Sequence, residues 1–386
     1  MVSRRGTEVS PFLAMDVLER ASERSDVIHL EVGEPDFAPP DRVVDTAVES
    51  LRAGNTNYTA ARGKPALRRA IAARYDREYG VTVDPDRIVV TPGSSPGLLL
   101  ALAAVVDPGD GVVLTDPHYA CYPNFVRTVS GRIETVPLRA ADGYQPRVDA
   151  FAAAVDASTR ALLLNSPANP TGAVLDGDTL DSLVGVASDA DAVPIVDEIY
   201  HGLSYDAEEH TVLEYTDDAF VLDGFSKRYA MTGWRLGWLV APPDYVDVIN
   251  RLAQNLLICA PNFVQDAGVA ALETPPARLD AIRDTYRERR DLLVDAVSDW
   301  GLDLGYTPQG AYYLLADVSD LPGDAMEIAD LFLEEAGVAV TPGIDFGDEA
   351  ADYLRLSYAT DAAAIETAIE RIDRLLETVD RSGPIR

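Results

Sequence analysis

Apolar residues occur in short runs between residues 86 and 241, and segments with helical spacing of apolar positions separate these runs. Seven of the runs predict strands, at residues 88–91, 112–115, 133–136, 161–165, 194–197, 220–223 and 238–241. Strands that alternate with helices in this way are typical of a mostly parallel sheet with helices on both faces. The pattern therefore predicts an α/β fold with a seven-stranded central sheet, whose ligands gather at the carboxyl ends of the strands.

The pattern changes after residue 275. A charged, amphipathic segment extends to about residue 300, apolar runs follow at 312–317, 338–341 and 353–358, and helical patterns occur near 324–336 and up to about 380. We expect three parts: an N-terminal segment (1–36), a large α/β domain (37–275) and a smaller α+β domain (276–386). Because the N-terminal segment is too small for a core of its own, we expect it to pack on the smaller domain or on a partner subunit.

The chain is strongly acidic, and nearly all of its basic residues are arginines. The 386 residues carry 64 acidic and 32 basic side chains, for a net charge of -32, and the acidic residues are scattered rather than gathered in one tail. Only Lys64 and Lys227 among the basic residues are lysines. We expect adaptation to high salt, which screens the repulsion of a carboxylate-rich surface, and we expect neither nucleic acid nor anionic membrane as a partner.

The N-terminus lacks the apolar region of a signal peptide, and no run of 18 apolar residues occurs, so a cytoplasmic protein is expected. Cys121 and Cys259 are too few for a disulfide framework. The four histidines have no metal-ligand spacing, so we expect no metal; they are His29, His118, His201 and His210.

Lys227 stands out because lysine is so rare here. A guanidinium stays protonated, whereas an amine can lose its proton, attack an aldehyde and later carry a proton. Lys227 lies in the segment Gly-Phe-Ser-Lys-Arg-Tyr-Ala-Met-Thr-Gly-Trp-Arg, residues 224–235, which suits a Schiff-base lysine.

Three further motifs follow predicted strands. Asn169 begins Asn-Pro-Thr-Gly, and Asp197 and Tyr200 lie in Asp-Glu-Ile-Tyr, so their side chains can meet in one crevice. Taken singly, the first motif is also a good turn and the second a possible helix cap. The third is the glycine-rich segment 91–97, which opens a helix, and its free N–H groups and two serine hydroxyls form a candidate phosphate site.

Together these motifs resemble the class I/II aminotransferases, fold type I enzymes that use pyridoxal 5'-phosphate (PLP), from about residue 30 to the C-terminus. Each of these motifs alone is a weak sign of the family, but their occurrence together in this order is specific for it. It comprises Gly33, Tyr58, Gly93 with Ser94 and Ser95, Tyr119, Asn169, Asp197, Tyr200, Ser226, Lys227, Arg235 and Arg355.

The resemblance implies roles for these residues around the cofactor ring. Lys227 would form the internal aldimine with PLP and later move the substrate proton. Asp197 would keep the pyridine nitrogen protonated, so that the ring withdraws electrons. Tyr200 and Asn169 would bind the ring oxygen O3', and Tyr119 would stack on the ring. The alternative interpretation of Tyr119 is an ordinary core tyrosine.

The resemblance also implies how phosphate and substrate are bound. Arg235 would bind the cofactor phosphate together with Ser94, Ser95 and Ser226, and Gly224 departs from the serine that many relatives carry at this position. Tyr58 would reach the phosphate of the neighbouring subunit, which predicts a homodimer. Arg355 would grip the substrate α-carboxylate with a bidentate fork, and Gly33 and Asn169 would lie beside it.

The implied function is transfer of an amino group from an L-amino acid to a 2-oxo acid, with 2-oxoglutarate as the expected acceptor, by a ping-pong mechanism. The alternative is a PLP-dependent C–S β-lyase of the same fold. A non-catalytic regulator of the PLP fold is disfavoured, because only about 30 residues precede the fold and the surface is acidic. The amino donor stays open: Arg62 or Lys64 would suit an acidic one, and Tyr119, Tyr122 and Tyr312 an aromatic one.

Overall fold

The computed structural model describes residues 2–379. The strands in that range are β1 (Ile28–His29), β2 (Ile88–Thr91), β3 (Gly111–Asp116), β4 (Arg132–Pro137), β5 (Thr159–Asn165), β6 (Val193–Asp197), β7 (Phe220–Gly224), β8 (Gly237–Val240), β9 (Tyr313–Asp317), β10 (Val338–Ala339), β11 (Thr341–Pro342) and β12 (Tyr353–Ser357). The α-helices are α1 (Arg4–Glu8), α2 (Leu13–Ser22), α3 (Asp41–Arg52), α4 (Pro65–Tyr79), α5 (Ser94–Val105), α6 (Tyr122–Thr128), α7 (Val148–Ala154), α8 (Gly177–Asp189), α9 (Val246–Leu256), α10 (Asn262–Leu272), α11 (Pro276–Asp299), α12 (Ala325–Leu331) and α13 (Ala362–Leu376).

The central sheet contains seven strands in the order β2-β8-β7-β6-β5-β3-β4. Strand β8 runs antiparallel to both of its neighbours, and the other pairs are parallel. Each strand coincides with one of the seven apolar runs, so the predicted α/β sheet is confirmed. Because β5, β6 and β7 are adjacent and parallel, their carboxyl ends lie side by side at one edge of the sheet.

Successive residues of the central strands belong to different cores. In β5, Leu162 and Leu164 pack with Leu67 of α4, whereas Ala161 and Leu163 lie in the core that α5 and α9 cover. This two-residue period follows from the pleat of a strand. Burying one leucine fully stabilises the fold by about 2 kcal/mol, and strands β5, β6 and β7 are buried almost throughout on both faces. The apolar runs were therefore a strong signal for these strands.

A second sheet forms in the C-terminal third from β11, β12 and β9, all antiparallel. Helices α11 and α13 pack beside it in a core that includes Tyr312, Leu356 and Ile372. The N-terminal segment lies against this part of the chain, since β1 pairs in parallel with β10 and α2 contacts β10 and β11.

Two details differ from the predicted elements. The predicted strand at 338–341 is two short strands, because β10 pairs with β1 while β11 pairs with β12, so the chain leaves one sheet for another. The predicted helix at 324–336 is α12 followed by a π-helical turn at Phe332–Ala336. Among residues 2–379, no helix combines the length and apolar character needed to cross a bilayer.

Candidate active site

A cavity of about 240 Å³ opens where β5, β6 and β7 end and α5 begins. Eleven of the twelve residues predicted for the site line it: Gly33, Ser94, Ser95, Tyr119, Asn169, Asp197, Tyr200, Ser226, Lys227, Arg235 and Arg355. The twelfth, Tyr58, lies outside the cavity and is 82% exposed. Residues from seven separate segments of the chain thus meet at the carboxyl ends of the central strands.

Lys227 lies in the loop that follows β7. Its Nζ donates a hydrogen bond to the carbonyl oxygen of Gly33, 2.8 Å away, and lies 5.7 Å from the ring centres of both Tyr200 and Tyr312. Within residues 2–379 no carboxylate forms an ion pair with this amine. Desolvation lowers the pKa of Lys227, so the neutral, nucleophilic amine is more accessible than on a lysine in water.

Asp197 is the last residue of β6 and is buried. Its Oδ2 accepts a hydrogen bond from the Tyr122 hydroxyl at 2.9 Å, and its Oδ1 accepts one from the backbone N–H of Ile199 at 3.2 Å. Burial raises the pKa of Asp197 to about 6, although both hydrogen bonds and the charge of Lys227 act to lower it. A buried carboxylate of this kind favours a proton or a cationic ligand beside it.

Tyr200, Asn169 and Asn165 line the same cavity as Asp197. The Tyr200 hydroxyl lies 3.0 Å from that of Tyr313, and burial raises the pKa of Tyr200 well above its usual value. Asn165 donates from Nδ2 to the backbone oxygen of Asp197 and accepts the backbone N–H of Asn169, both over 2.8 Å. The ends of β5 and β6 are therefore joined through one amide side chain.

Arg355 lies in the middle of β12 and is 2% exposed. Its Nη1 donates to Asn169 Oδ1 at 3.0 Å, and its Nη2 donates to the backbone oxygen of Glu31. The guanidinium lies over the rings of Tyr313 and Phe346, 4.4 and 4.6 Å from their centres. Its Nε is buried without a hydrogen-bond partner, and no carboxylate within residues 2–379 pairs with it. This buried cation is available for an anionic ligand.

The start of α5 is built for an anion. Gly93 precedes the helix with φ of 94°, and Ser94 and Ser95 are the first helical residues, so their free N–H groups and hydroxyls face one region. A Cβ atom at Gly93 would collide with Nη2 of Arg235. The guanidinium of Arg235 is therefore brought to the helix N-terminus by the absence of a side chain at residue 93.

Gly224, the departure noted in the sequence, has a local explanation. It ends β7 and pairs with Gly237 of β8, and a Cβ atom on it would lie 3.1 Å from Gly237 Cα, from Ile199 Cδ1 and from the Leu236 oxygen. These contacts are tighter than ordinary van der Waals contacts. A serine here would therefore crowd the opposite strand.

The sequence prediction missed several residues of the cavity. Tyr313 contacts both Tyr200 and Arg355, and no motif marked it. The sequence named Tyr122 only as a residue that would suit an aromatic donor, and its hydrogen bond to Asp197 was not predicted. Phe12, which precedes α2, Met15 in the first turn of α2, and Glu31 also line the cavity. No motif marked these three, because their positions depend on how the N-terminal segment packs.

Arg62 and Lys64 lie outside the cavity. Lys64 forms an ion pair with Asp266 at 2.7 Å, and Arg62 donates to the backbone oxygen of Asp86 at 3.0 Å. Neither side chain is among those that line the cavity.

A buried ion cluster lies behind the site. Arg74 of α4 pairs with Asp223 at 2.6 Å and with Glu78 at 2.9 Å, and Glu78 also binds Arg228, the residue after Lys227. Burial raises the pKa of Asp223 to about 7. His201, next to Tyr200, lies 2.8 Å from the Tyr79 hydroxyl, and burial lowers the pKa of His201 to about 4. Helix α4 thus contacts both the loop after β6, which carries Tyr200, and the loop after β7, which carries Lys227.

Comparison with known proteins agrees with this geometry. The sequence matches the family model for aminotransferase class I and II over residues 25–372. It is 36% identical to (5-formylfuran-3-yl)methyl phosphate transaminase of Methanocaldococcus jannaschii, with 97% of this chain and 100% of that protein covered. It is 38% identical to valine–pyruvate aminotransferase of Mycobacterium tuberculosis, with 94% and 96% covered. The structure of Thermus thermophilus aspartate aminotransferase with maleate matches with a TM-score of 0.93 at 34% identity, with 97% and 99% covered.

The chain therefore belongs to the class I and II aminotransferases. It is a PLP-dependent transaminase with the type I fold, and it acts on amino and 2-oxo acids.

The cavity fits PLP in its donor set. Its lining combines a candidate anion site made of a guanidinium and two serines, a buried carboxylate that forms no ion pair within residues 2–379, and a desolvated lysine amine. Within residues 2–379 no group of three or more His, Cys, Asp or Glu side chains is arranged to hold a metal ion.

Proposed function

We propose that the protein transfers the amino group of an L-amino acid to a 2-oxo acid, with 2-oxoglutarate as acceptor, by a ping-pong mechanism centred on Lys227. The observation that carries this proposal is the setting of Nζ, which is desolvated, donates a hydrogen bond to the Gly33 carbonyl, and belongs to the same cavity as the Asp197 carboxylate and the Arg355 guanidinium. Transamination needs three groups in one cavity. These are a nucleophilic amine, an anion beside the ring nitrogen and a cation that binds the substrate carboxylate.

The residues that hold PLP are proposed from the donor set. Arg235, Ser94, Ser95 and Ser226 bind its phosphate together with the N–H groups of the α5 N-terminus. Lys227 carries it, and Tyr119 packs against its ring. When bound, the cofactor supplies an electron-poor ring that withdraws charge from the substrate Cα.

Asp197 holds a proton at the ring nitrogen. Its raised pKa reflects desolvation, and a cationic nitrogen beside it would offset that cost, so that the pair would be ionic. Tyr122 and Ile199 fix the orientation of the carboxylate by occupying one lone pair on each oxygen. Tyr200 and Asn169 donate to the ring oxygen O3'.

Lys227 moves the substrate proton. A neutral Nζ accepts the proton that leaves the substrate Cα, and its lowered pKa favours that neutral form. The Gly33 carbonyl and the faces of Tyr200 and Tyr312 stabilise the ammonium that results.

Arg355 binds the substrate α-carboxylate. Its buried guanidinium has no carboxylate partner within residues 2–379, and Asn169, Tyr313 and the Glu31 carbonyl hold its plane in place. A fixed plane allows two parallel hydrogen bonds to one carboxylate, which orients the Cα–H bond toward Lys227. Gly33 lies beside this position, and a Cβ atom on it would collide with the Tyr313 hydroxyl.

We also propose a homodimer and a two-domain chain. Tyr58 is 82% exposed although it belongs to the set of site motifs, which supports its action in the cofactor site of a second copy. Residues 37–275 would form the large domain and 276–386 the small one, with 1–36 packed on the latter. Mixing Tyr58→Ala with Lys227→Ala protein tests the dimer, since hybrids regain one complete site and recover activity only if Tyr58 acts across subunits.

The test of the function is transfer of labelled nitrogen. Holoenzyme is incubated with a ¹⁵N-labelled amino acid and 2-oxoglutarate, and the product amino acid is analysed by mass spectrometry. Labelled glutamate is the expected result. Release of labelled ammonia with pyruvate from a cysteine-type substrate, and no labelled glutamate, would identify a C–S β-lyase instead. The named relatives act on chemically different donors, so a panel of donors is used.

A further inference from the structure

The cations that line the cavity each have a role under the proposed function. Among residues 2–379 these cations are Lys227, Arg235 and Arg355. Arg235 meets the cofactor phosphate, Arg355 meets the α-carboxylate, and Lys227 carries the cofactor. No cation of this lining is therefore left for a second carboxylate on the substrate.

Other polar side chains of the lining are engaged within the chain. The carboxylate of Glu31 has no exposed surface, and its Oε1 lies 2.7 Å from Nδ1 of His29. Asn165 is hydrogen-bonded through both its oxygen and its nitrogen, and Thr232 donates to the carboxylate of Glu34. A charged substrate side chain would meet no free counter-charge among these groups, and an unpaired charge is costly to desolvate.

The start of α2 contributes an apolar wall, which consists of Phe12 and Met15. Neither side chain is fully buried, and Met15 is 49% exposed, so both can form further apolar contacts. The ring of Phe12 packs edge to face on that of Tyr119, with the ring centres 5.9 Å apart. Since Tyr119 is the residue that we propose to pack against the cofactor ring, the apolar wall lies next to the reacting part of the cavity.

Two consecutive residues hold the apolar wall near the α-carboxylate site. The carboxylate of Asp345 accepts hydrogen bonds from the backbone N–H groups of Leu13 and Ala14 at 3.2 and 3.3 Å. The next residue, Phe346, has its ring centre 4.6 Å from the guanidinium of Arg355. A substrate whose carboxylate binds Arg355 therefore lies close to the start of α2.

We propose that the preferred amino donor carries a neutral, apolar side chain of the leucine or phenylalanine type, and that Phe12 and Met15 are specificity-determining residues that contact it. This inference rests on the proposed function. Burial of an apolar side chain against the apolar wall is favourable, whereas a carboxylate or guanidinium would lose water without gaining an ionic partner. Arg62 and Lys64, the candidates for an acidic donor, bind Asp86 and Asp266 outside the cavity.

The kinetic test compares leucine, phenylalanine, alanine, aspartate and arginine as donors with the holoenzyme. Leucine or phenylalanine should exceed aspartate and arginine in kcat/KM by about tenfold or more. Phe12→Ala should lower kcat/KM for leucine and phenylalanine by about tenfold and that for alanine by less than about twofold, because a methyl group makes little contact with the apolar wall.

Leu18→Ala is the matched control, because Leu18 is a half-buried apolar residue of α2 that is not part of the cavity lining. It should change none of these values. If aspartate or arginine is the best donor, the inference is overturned, since a counter-charge must then come from another source such as a second copy of the chain. Equal losses for alanine and leucine in Phe12→Ala would overturn the contact as well, because they indicate a structural role.

A binding test separates this inference from the function itself. Holoenzyme is titrated with 3-phenylpropanoate and 4-methylpentanoate, which lack the amino groups of phenylalanine and leucine, and with succinate, 5-guanidinopentanoate and propanoate. The two apolar acids should bind tightest, and Phe12→Ala should remove most of their advantage over propanoate. Tighter binding of succinate or of the guanidino acid to the parent enzyme overturns the inference without any variant. If the apolar acids bind tightest but no amino acid reacts, the transaminase proposal fails and the apolar site stands.

Discussion

The hydroxyl of Tyr122 donates a hydrogen bond to Oδ2 of Asp197 over 2.9 Å, and both residues line the cavity. Tyr122 is the first residue of α6, and Asp197 is the last residue of β6, so the bond joins elements 75 residues apart in sequence. It fixes the carboxylate that we propose to meet the ring nitrogen. Both groups are buried, so water contributes little to holding the carboxylate in place.

Tyr122→Phe should raise the pKa of Asp197, because the hydrogen bond from Tyr122 acts to lower it. We expect the acid limb of the kcat/KM profile to move to higher pH and kcat to fall by about tenfold. The measurement is the pH–rate profile of both proteins. Tyr245→Phe, outside the cavity, is the control, and an unmoved acid limb would remove Tyr122 from this role.

Asp197→Asn should change how the stability of the PLP-free protein depends on pH. The folded pKa of about 6 lies above the unfolded value of 3.8, so the folded protein binds more protons between these pH values and loses stability as pH rises through them. The asparagine variant lacks this loss, which amounts to about 3 kcal/mol near pH 7. Thermal unfolding of both apoproteins from pH 4 to 7 gives the difference, and parallel curves would contradict a desolvated Asp197.

Arg355→Lys should raise KM for every amino donor alike, by at least about tenfold, because a point charge cannot reproduce the planar fork. The change should also loosen the contacts to Asn169 and to the Tyr313 ring. Initial rates with three chemically different donors test this. A rise in KM for one donor only would place Arg355 at the side chain of the substrate instead.

Gly93→Ala should weaken PLP binding. The residue has φ of 94°, which strains an alanine, and the added Cβ collides with Arg235 Nη2. Displacement of this guanidinium from the α5 N-terminus should raise the Kd for PLP by about tenfold or more. Fluorescence titration of the apoprotein measures it, and Gly109→Ala, with similar φ and open space around it, controls for strain alone. Equal affinity in Gly93→Ala and the parent would contradict the phosphate site.

The central sheet was predictable because its strands, apart from the edge strand β4, are buried on both faces, and because they alternate with helices. That alternation also placed Asn169 and Asp197 at neighbouring strand ends. The motif around Lys227 was visible because lysine is scarce.

The other contacts of the cavity could not be predicted, because they join residues that are far apart in the sequence. The contact between Glu31 and Arg355 spans 324 residues, and no periodicity links the two positions. Phe12 and Met15 reach the cavity only because the N-terminal segment packs against β10 and β11, a pairing that two-residue strands do not signal. The hydrogen bond between Tyr122 and Asp197 was not predictable for the same reason, because 75 residues separate the two positions.

Borohydride reduction of the holoenzyme tests the central claim most directly, because it fixes PLP irreversibly to the lysine that carries it and this chain has only Lys227 and Lys64. Peptide mass spectrometry of the digested protein locates the adduct, and Lys64→Arg serves as the matched control that should keep both adduct and activity. We predict an adduct on Lys227 alone, lost in Lys227→Arg. An adduct on Lys64, or none on either lysine of a PLP-saturated protein, would contradict the account.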